Sequence, residues 1–199
     1  GIESFLKIDS GCEESGMLKQ FPVKQMLEWA TKRTPENGSI GAQIYGTKMR
    51  SIVKSVDMVR PILTQQFQLA ETICSYGLVP IIEPEVPIDH PEKALVEQEL
   101  YALLEKFLNE KKFKVILKLT PPDAPNLYHN LTVKHNVERV VFLSGGYSTE
   151  EACNRLGLNE NVSASFSRAL SQDLYHSLTD EDFNAMISNN IKMITEASK

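Results

Sequence analysis

Short apolar runs alternate along the chain with longer stretches in which apolar residues recur every three or four positions. The short runs are residues 3–9 (ESFLKID), 40–48 (IGAQIYGTK), 78–83 (LVPIIE), 114–120 (KVILKLT), 138–144 (ERVVFLS) and 161–167 (NVSASFS), and they predict strands. The longer stretches predict helices over 23–33, 58–76, 91–110, 149–156 and 180–197, with a short one around 126–135. In the second helix Leu63, Phe67, Ala70 and Cys74 fall on one stripe, and Gly77 stands where a C-terminal cap is expected. In the third, Pro91 takes the first turn and Val96, Leu100, Leu103, Leu104 and Phe107 share a face. Thr179 and Asp182 have capping-box spacing at the start of the last, with Asp in place of the usual Glu or Gln.

Strand–helix units repeated in this way argue for an α/β fold with a parallel sheet. About six units are countable, whereas a closed TIM (β/α)8 barrel has eight and typically about 250 residues. The expected architecture is therefore an N-terminally incomplete barrel, with residues 1–199 forming one domain. An open doubly wound sheet is the alternative, but no Gly-rich dinucleotide fingerprint follows any strand. The chain opens on Gly1 and runs straight into an apolar segment, so upstream residues are expected to be missing.

Each strand starts apolar and ends polar. Lys7 and Asp9 close the first, Lys48 and Arg50 the second, Glu83 and Glu85 the third, and Lys118 lies in the fourth. Ser144, Gly145 and Gly146 follow the fifth and Arg168 the sixth. Period-two alternation puts the paired residues on matching faces, and a parallel barrel gathers strand ends at the mouth where barrel enzymes carry their chemistry. Lys118 follows three apolar residues. Burial and nearby cations depress a lysine's pKa and let a neutral amine attack a carbonyl; a snorkelling surface lysine is the other reading. Glycines after a strand can turn backbone N–H groups towards an anion, and the next helix adds its dipole. Barrels often bind phosphate after strands seven and eight, which is where the last two strands fall if two are missing in front.

The composition narrows the partners. The chain has 199 residues, 42% hydrophobic and 24% charged, with a net charge of −5 and no basic cluster, which disfavours nucleic acid. No apolar run reaches the roughly 18 residues of a membrane span. Cys12, Cys74 and Cys153 are odd in number and widely spaced, as in a cytoplasmic protein with reduced thiols. His90, His129, His135 and His176 have no zinc spacing, so no metal site is expected.

Six segments together resemble the class I fructose-bisphosphate aldolases of the compact bacterial kind: FLKID (5–9), GTKMRS (46–51), GLVPIIEPEV (77–86), VILKLT (115–120), FLSGGYSTEEA (142–152) and SASFSRAL (163–170). The resemblance implies a lyase of glycolysis and gluconeogenesis that cleaves fructose 1,6-bisphosphate reversibly through a Schiff base, with no cofactor. It implies Lys118 as the Schiff-base lysine, Glu83 as the proton-handling carboxylate, Lys48 as its positioning partner and Glu85 as a supporting carboxylate. Arg50 and Lys7 become cations near a sugar phosphate. Ser144, Gly145, Gly146 and Arg168 become the cradle for the phosphate on the dihydroxyacetone side. Sugar phosphates are the implied small-molecule partners, and a homo-oligomer stays open. The family also begins with two further βα units, the first ending in an aspartate that has no counterpart here. Ser10 stands where the bacterial relatives often have lysine. A related Schiff-base enzyme, either a tagatose-bisphosphate aldolase or a transaldolase, and a catalytically impaired sugar-phosphate-binding chain are the alternatives.

Overall fold

The computed structural model describes residues 3–32 and 44–198. Six strands form one sheet in chain order: β1 (Ser4–Lys7), β2 (Ile44–Ile52), β3 (Val79–Glu85), β4 (Val115–Leu119), β5 (Val137–Phe142) and β6 (Val162–Ala164). All neighbouring pairs are parallel. Each connection carries a helix: α1 (Val23–Thr31), α2 (Val56–Ser75), α3 (Lys93–Glu110), α4 (His129–Thr132) and α5 (Thr149–Gly157), and α6 (Asp180–Ala197) follows β6. Among the described residues β1 and β6 each pair on one side only, so the sheet is open, with the strand order of a partial barrel.

Alternation divides the sheet into two faces. Met49, Ile82, Leu117, Leu119 and Phe142 are buried among the core side chains. Helix α2 presents Leu63, Phe67, Ala70 and Ile73 to this core, and α3 presents Val96, Leu100, Leu103 and Leu104. Phe67 stacks on Phe107 of α3 with ring centroids 4.9 Å apart. Truncating a buried phenylalanine such as Phe67 to alanine costs about 3–5 kcal/mol. Cys74, expected on the α2 stripe, is only half buried, and Ile73 takes the inner place.

The boundaries differ from expectation in instructive places. Strand β2 continues past Lys48 to Ile52, because the buried Met49 and Ser51 extend the alternation and bring Arg50 into the strand. Of the expected strand, residues 40–43 lie outside the described residues, as does Arg33 of the expected first helix. Helix α3 begins at Lys93 rather than Pro91. The residues ahead of it form a turn in which the Glu92 amide donates to Nδ1 of His90 and the Lys93 amide to the His90 carbonyl. Gly77 does close α2, with φ +76° and its amide on the Cys74 carbonyl. Half of the expected capping box forms at α6: the Asp182 amide donates to Oγ1 of Thr179 at 3.1 Å, while that hydroxyl donates back to the Asp182 carboxylate at 2.7 Å.

Candidate active site

Parallel register lines up the strand ends. Arg50 stands beside Glu83 and Ile52 beside Glu85 on β2 and β3, and Ile81 stands beside Ile116, two residues before Glu83 and Lys118. Long side chains on one face reach both opposite and diagonal neighbours, so this register pairs cations with carboxylates. The Glu83 carboxylate sits between two lysines, with Oε1 3.2 Å from Nζ of Lys118 and Oε2 3.1 Å from Nζ of Lys48. Glu83 is only 2% exposed. Oε2 nevertheless accepts no aligned hydrogen bond, so its partner is charge alone.

The backbone under Glu83 is fixed from behind by the buried Gln66 of α2. Its carboxamide oxygen accepts the Glu83 amide at 2.9 Å, and its nitrogen donates to the Glu83 carbonyl and to Oγ of Ser51. Such a side chain satisfies backbone groups and locks the carboxylate's position together. Diagonally across, Arg50 forks onto Glu85, with Nη2 donating to Oε1 at 3.2 Å and Nε against Oε2.

The loops after β5 and β6 complete the cleft. Gly145 and Gly146 have φ of +62° and +116°, and a side chain on Gly145 would meet Ile88 at 2.8 Å. Glycine is therefore favoured at Gly145 by both conformation and space. The Tyr147 amide donates to the Ser144 carbonyl, closing the turn. The amides of Gly145 and Gly146 have no acceptor among the described residues. In the first turn of α5 two amides are occupied: Thr149 donates to Oε1 of Gln172, and Glu151 to Oγ of its N-cap Ser148.

Lys48, Arg50, Glu83, Glu85, Lys118, Ser144, Gly145 and Arg168 line a single cleft of about 260 Å³. Gly146 is next to its lining. Lys7 is not in it: its ammonium turns to Asp9, 2.9 Å from Oδ1 and donating to the Asp9 carbonyl at 3.0 Å. Leu143, Ser165 and Ser167 line the cleft as well, and serine at every second position over 163–167 is the signal that marks the two serines. A larger cleft of about 680 Å³ lies along the sheet around Phe5, Tyr45, Ile116 and Arg139. Its charged groups, Glu3, Lys114, Glu138 and Arg139, include one ion pair at 3.9 Å, between Lys114 and Glu138, but no carboxylate held between two lysines, so volume does not mark the chemistry here.

No family model matches the chain. Curated relatives do. It is 43% identical over 203 residues to the class 1 fructose-bisphosphate aldolase of Clostridium acetobutylicum, covering 99% of this chain and 67% of that protein. The class 1 fructose-bisphosphate aldolase of Porphyromonas gingivalis is 41% identical, with the same shares covered. The chain belongs to the class 1 fructose-bisphosphate aldolase family. That of Synechocystis is 44% identical over 99% of this chain and 66% of its own length. The chain thus spans about two thirds of the length of these class 1 aldolases. The fold agrees: a solved fructose-bisphosphate aldolase from Plasmodium falciparum superposes with a TM-score of 0.75 over 98% of this chain and 68% of that one, at 19% identity. The family is one of aldehyde-lyases that act through a Schiff base, and no helix among the described residues is long and apolar enough to cross a membrane.

Proposed function

We propose that this chain carries the Schiff-base half of fructose 1,6-bisphosphate cleavage, with Lys118 as nucleophile. The observation that carries the reading is Glu83 held between Lys118 and Lys48 on three adjacent strands. The Lys118 amine adds to the C2 ketone, and Glu83 supplies the proton with which the carbinol oxygen leaves as water. The resulting iminium is an electron sink. Glu83 then takes the proton of the C4 hydroxyl, the C3–C4 bond breaks, and its electron pair flows into an enamine. Glyceraldehyde 3-phosphate departs. Protonation at C3 and hydrolysis of the iminium release dihydroxyacetone phosphate and restore the amine. The iminium does the polarising that a Lewis-acid metal does elsewhere, so no step calls for a metal or a cofactor.

Two features support Glu83 in this role. It is within 3.2 Å of the nitrogen that must gain and lose protons, which is close enough for transfer. Its Oε2 faces the charge of Lys48 without accepting a hydrogen bond, which leaves a lone pair for a proton. The unpartnered amides of Gly145 and Gly146, with the Arg168 guanidinium in the same cleft, supply the donors a phosphate needs. Arg50 and Lys48 add positive charge for the rest of the substrate. Cleavage is measured by coupling released glyceraldehyde 3-phosphate to its dehydrogenase. Release that survives EDTA and is lost for good after borohydride with dihydroxyacetone phosphate supports the reading. Release that EDTA stops, or that borohydride leaves intact, contradicts it.

A further inference from the structure

Arg168 belongs to a different loop from the Ser144, Gly145 and Gly146 turn. Between Ala164 at the end of β6 and Asp180 at the start of α6, the chain carries no helix or strand to hold that loop in place. Side chains from outside it do so at two points. From α6, the Asn190 carboxamide donates to the carbonyls of Leu170 and Gln172, at 3.0 and 3.4 Å. From α5, the Thr149 hydroxyl donates to the Ala169 carbonyl at 2.6 Å, and the Thr149 amide donates to Oε1 of Gln172 at 2.8 Å. The hydroxyl also lies 3.1 Å from that Oε1. It has one proton to give, and the nearer, buried carbonyl takes it.

The position of this second tie matters. Thr149 follows Gly146 by three residues, and Ala169 follows Arg168 directly. Thr149 and Ala169 are both buried, so the bond between them does not compete with water. A phosphate held by amides from one loop and a guanidinium from another needs donor distances within a few tenths of an ångström. Beyond the backbone bond at the loops' roots, from the Ser165 amide to the Phe142 carbonyl at 2.8 Å, no other hydrogen bond near Arg168 links the two loops among the described residues.

We propose that Thr149 and Gln172 form a clasp that sets the spacing between Arg168 and the glycine turn, and through it the affinity for a ligand's phosphate. The clasp rests on the reading of the cradle given under Proposed function. Thr149 touches no substrate; it is a positioning residue. The test compares wild type, Thr149→Val and Thr149→Ser in borohydride trapping at Lys118 with two ligands, dihydroxyacetone phosphate and unphosphorylated dihydroxyacetone. Thr149→Val should raise the half-saturating concentration of the phosphorylated ligand roughly tenfold, the size expected for one lost buried hydrogen bond, and leave the unphosphorylated ligand unchanged. Thr149→Ser should restore the wild-type value. Equal losses for both ligands, no loss at all, or no rescue by serine would overturn the clasp. If wild type forms no adduct at Lys118, the nucleophile reading fails separately, and inorganic phosphate binding followed by ³¹P resonance decides the clasp. Roughly tenfold weaker phosphate binding by Thr149→Val then supports it, and equal binding or none by wild type overturns it.

Discussion

The two halves of the cleft rest on different kinds of backbone. Lys48, Arg50, Glu83, Glu85 and Lys118 stand on β2, β3 and β4, where parallel register and period-two alternation fix which side chains meet. Ser144, Gly145, Gly146 and Arg168 stand in loops, where no ladder sets spacing and distant side chains such as Thr149 and Gln172 do so instead. The strand half is built for covalent and proton chemistry, which needs atoms in lasting contact. The loop half is built for binding an anion, which needs donors left open. Substitutions in the two halves should therefore separate chemistry from binding.

The largest effect is expected in the strand half. Glu83→Gln keeps the shape and the Gln66 grip on the backbone but removes the proton carrier. Adduct formation at Lys118 should slow by about 10²–10⁴-fold while inorganic phosphate binds as in wild type. Stopped-time borohydride trapping reads the first and ³¹P titration the second, and a matching loss in both would erase the distinction between the halves. Gly145→Ala should do the reverse. Its Cβ meets Ile88 at 2.8 Å and its φ is +62°, which costs about 1–2 kcal/mol. Phosphate affinity should fall about tenfold, with the adduct still forming at saturating ligand.

The smallest effect is expected at the edge, at Asp9. Burial alone would raise this carboxyl, but the Lys7 ammonium against Oδ1 and hydrogen bonds from the Gly11 and Arg50 amides outweigh it and hold it below its ordinary value of 3.8. A carboxylate with a lowered folded pKa contributes stability above its unfolded pKa and loses it as pH falls through the folded one. The melting temperature of wild type should therefore drop as pH goes below about 4, and Asp9→Asn should flatten that drop. Parallel curves for the two proteins would show that Asp9 does not hold the β1 end to Arg50.

What was legible in the sequence follows the same division. The charged strand ends could be read because alternation forces Lys48 with Arg50, and Glu83 with Glu85, to one face. The run of β2 on to Ile52 is hidden because Ser51, a polar residue, gives no sign of being buried against Gln66. The glycine turn was legible from its composition. The Thr149–Gln172 tie was not, because two polar residues 23 positions apart carry no period and meet only through tertiary packing. The same holds for Lys93, which looks like an exposed helix residue but is buried against Glu97, Asp123 and the Pro121 carbonyl. Lys7 pairs with its neighbour Asp9 instead of lining the cleft, a local contact that alternation does not show.

The central claim is that Lys118 forms the covalent bond, and peptide mass after reduction tests it most directly. The protein is treated with dihydroxyacetone phosphate and borohydride, digested, and compared with Lys118→Met. The predicted result is the reduced ligand's mass on the peptide containing Lys118 in wild type and no adduct in the variant. An adduct on Lys48 or Lys7, or one that persists in Lys118→Met, would contradict the account.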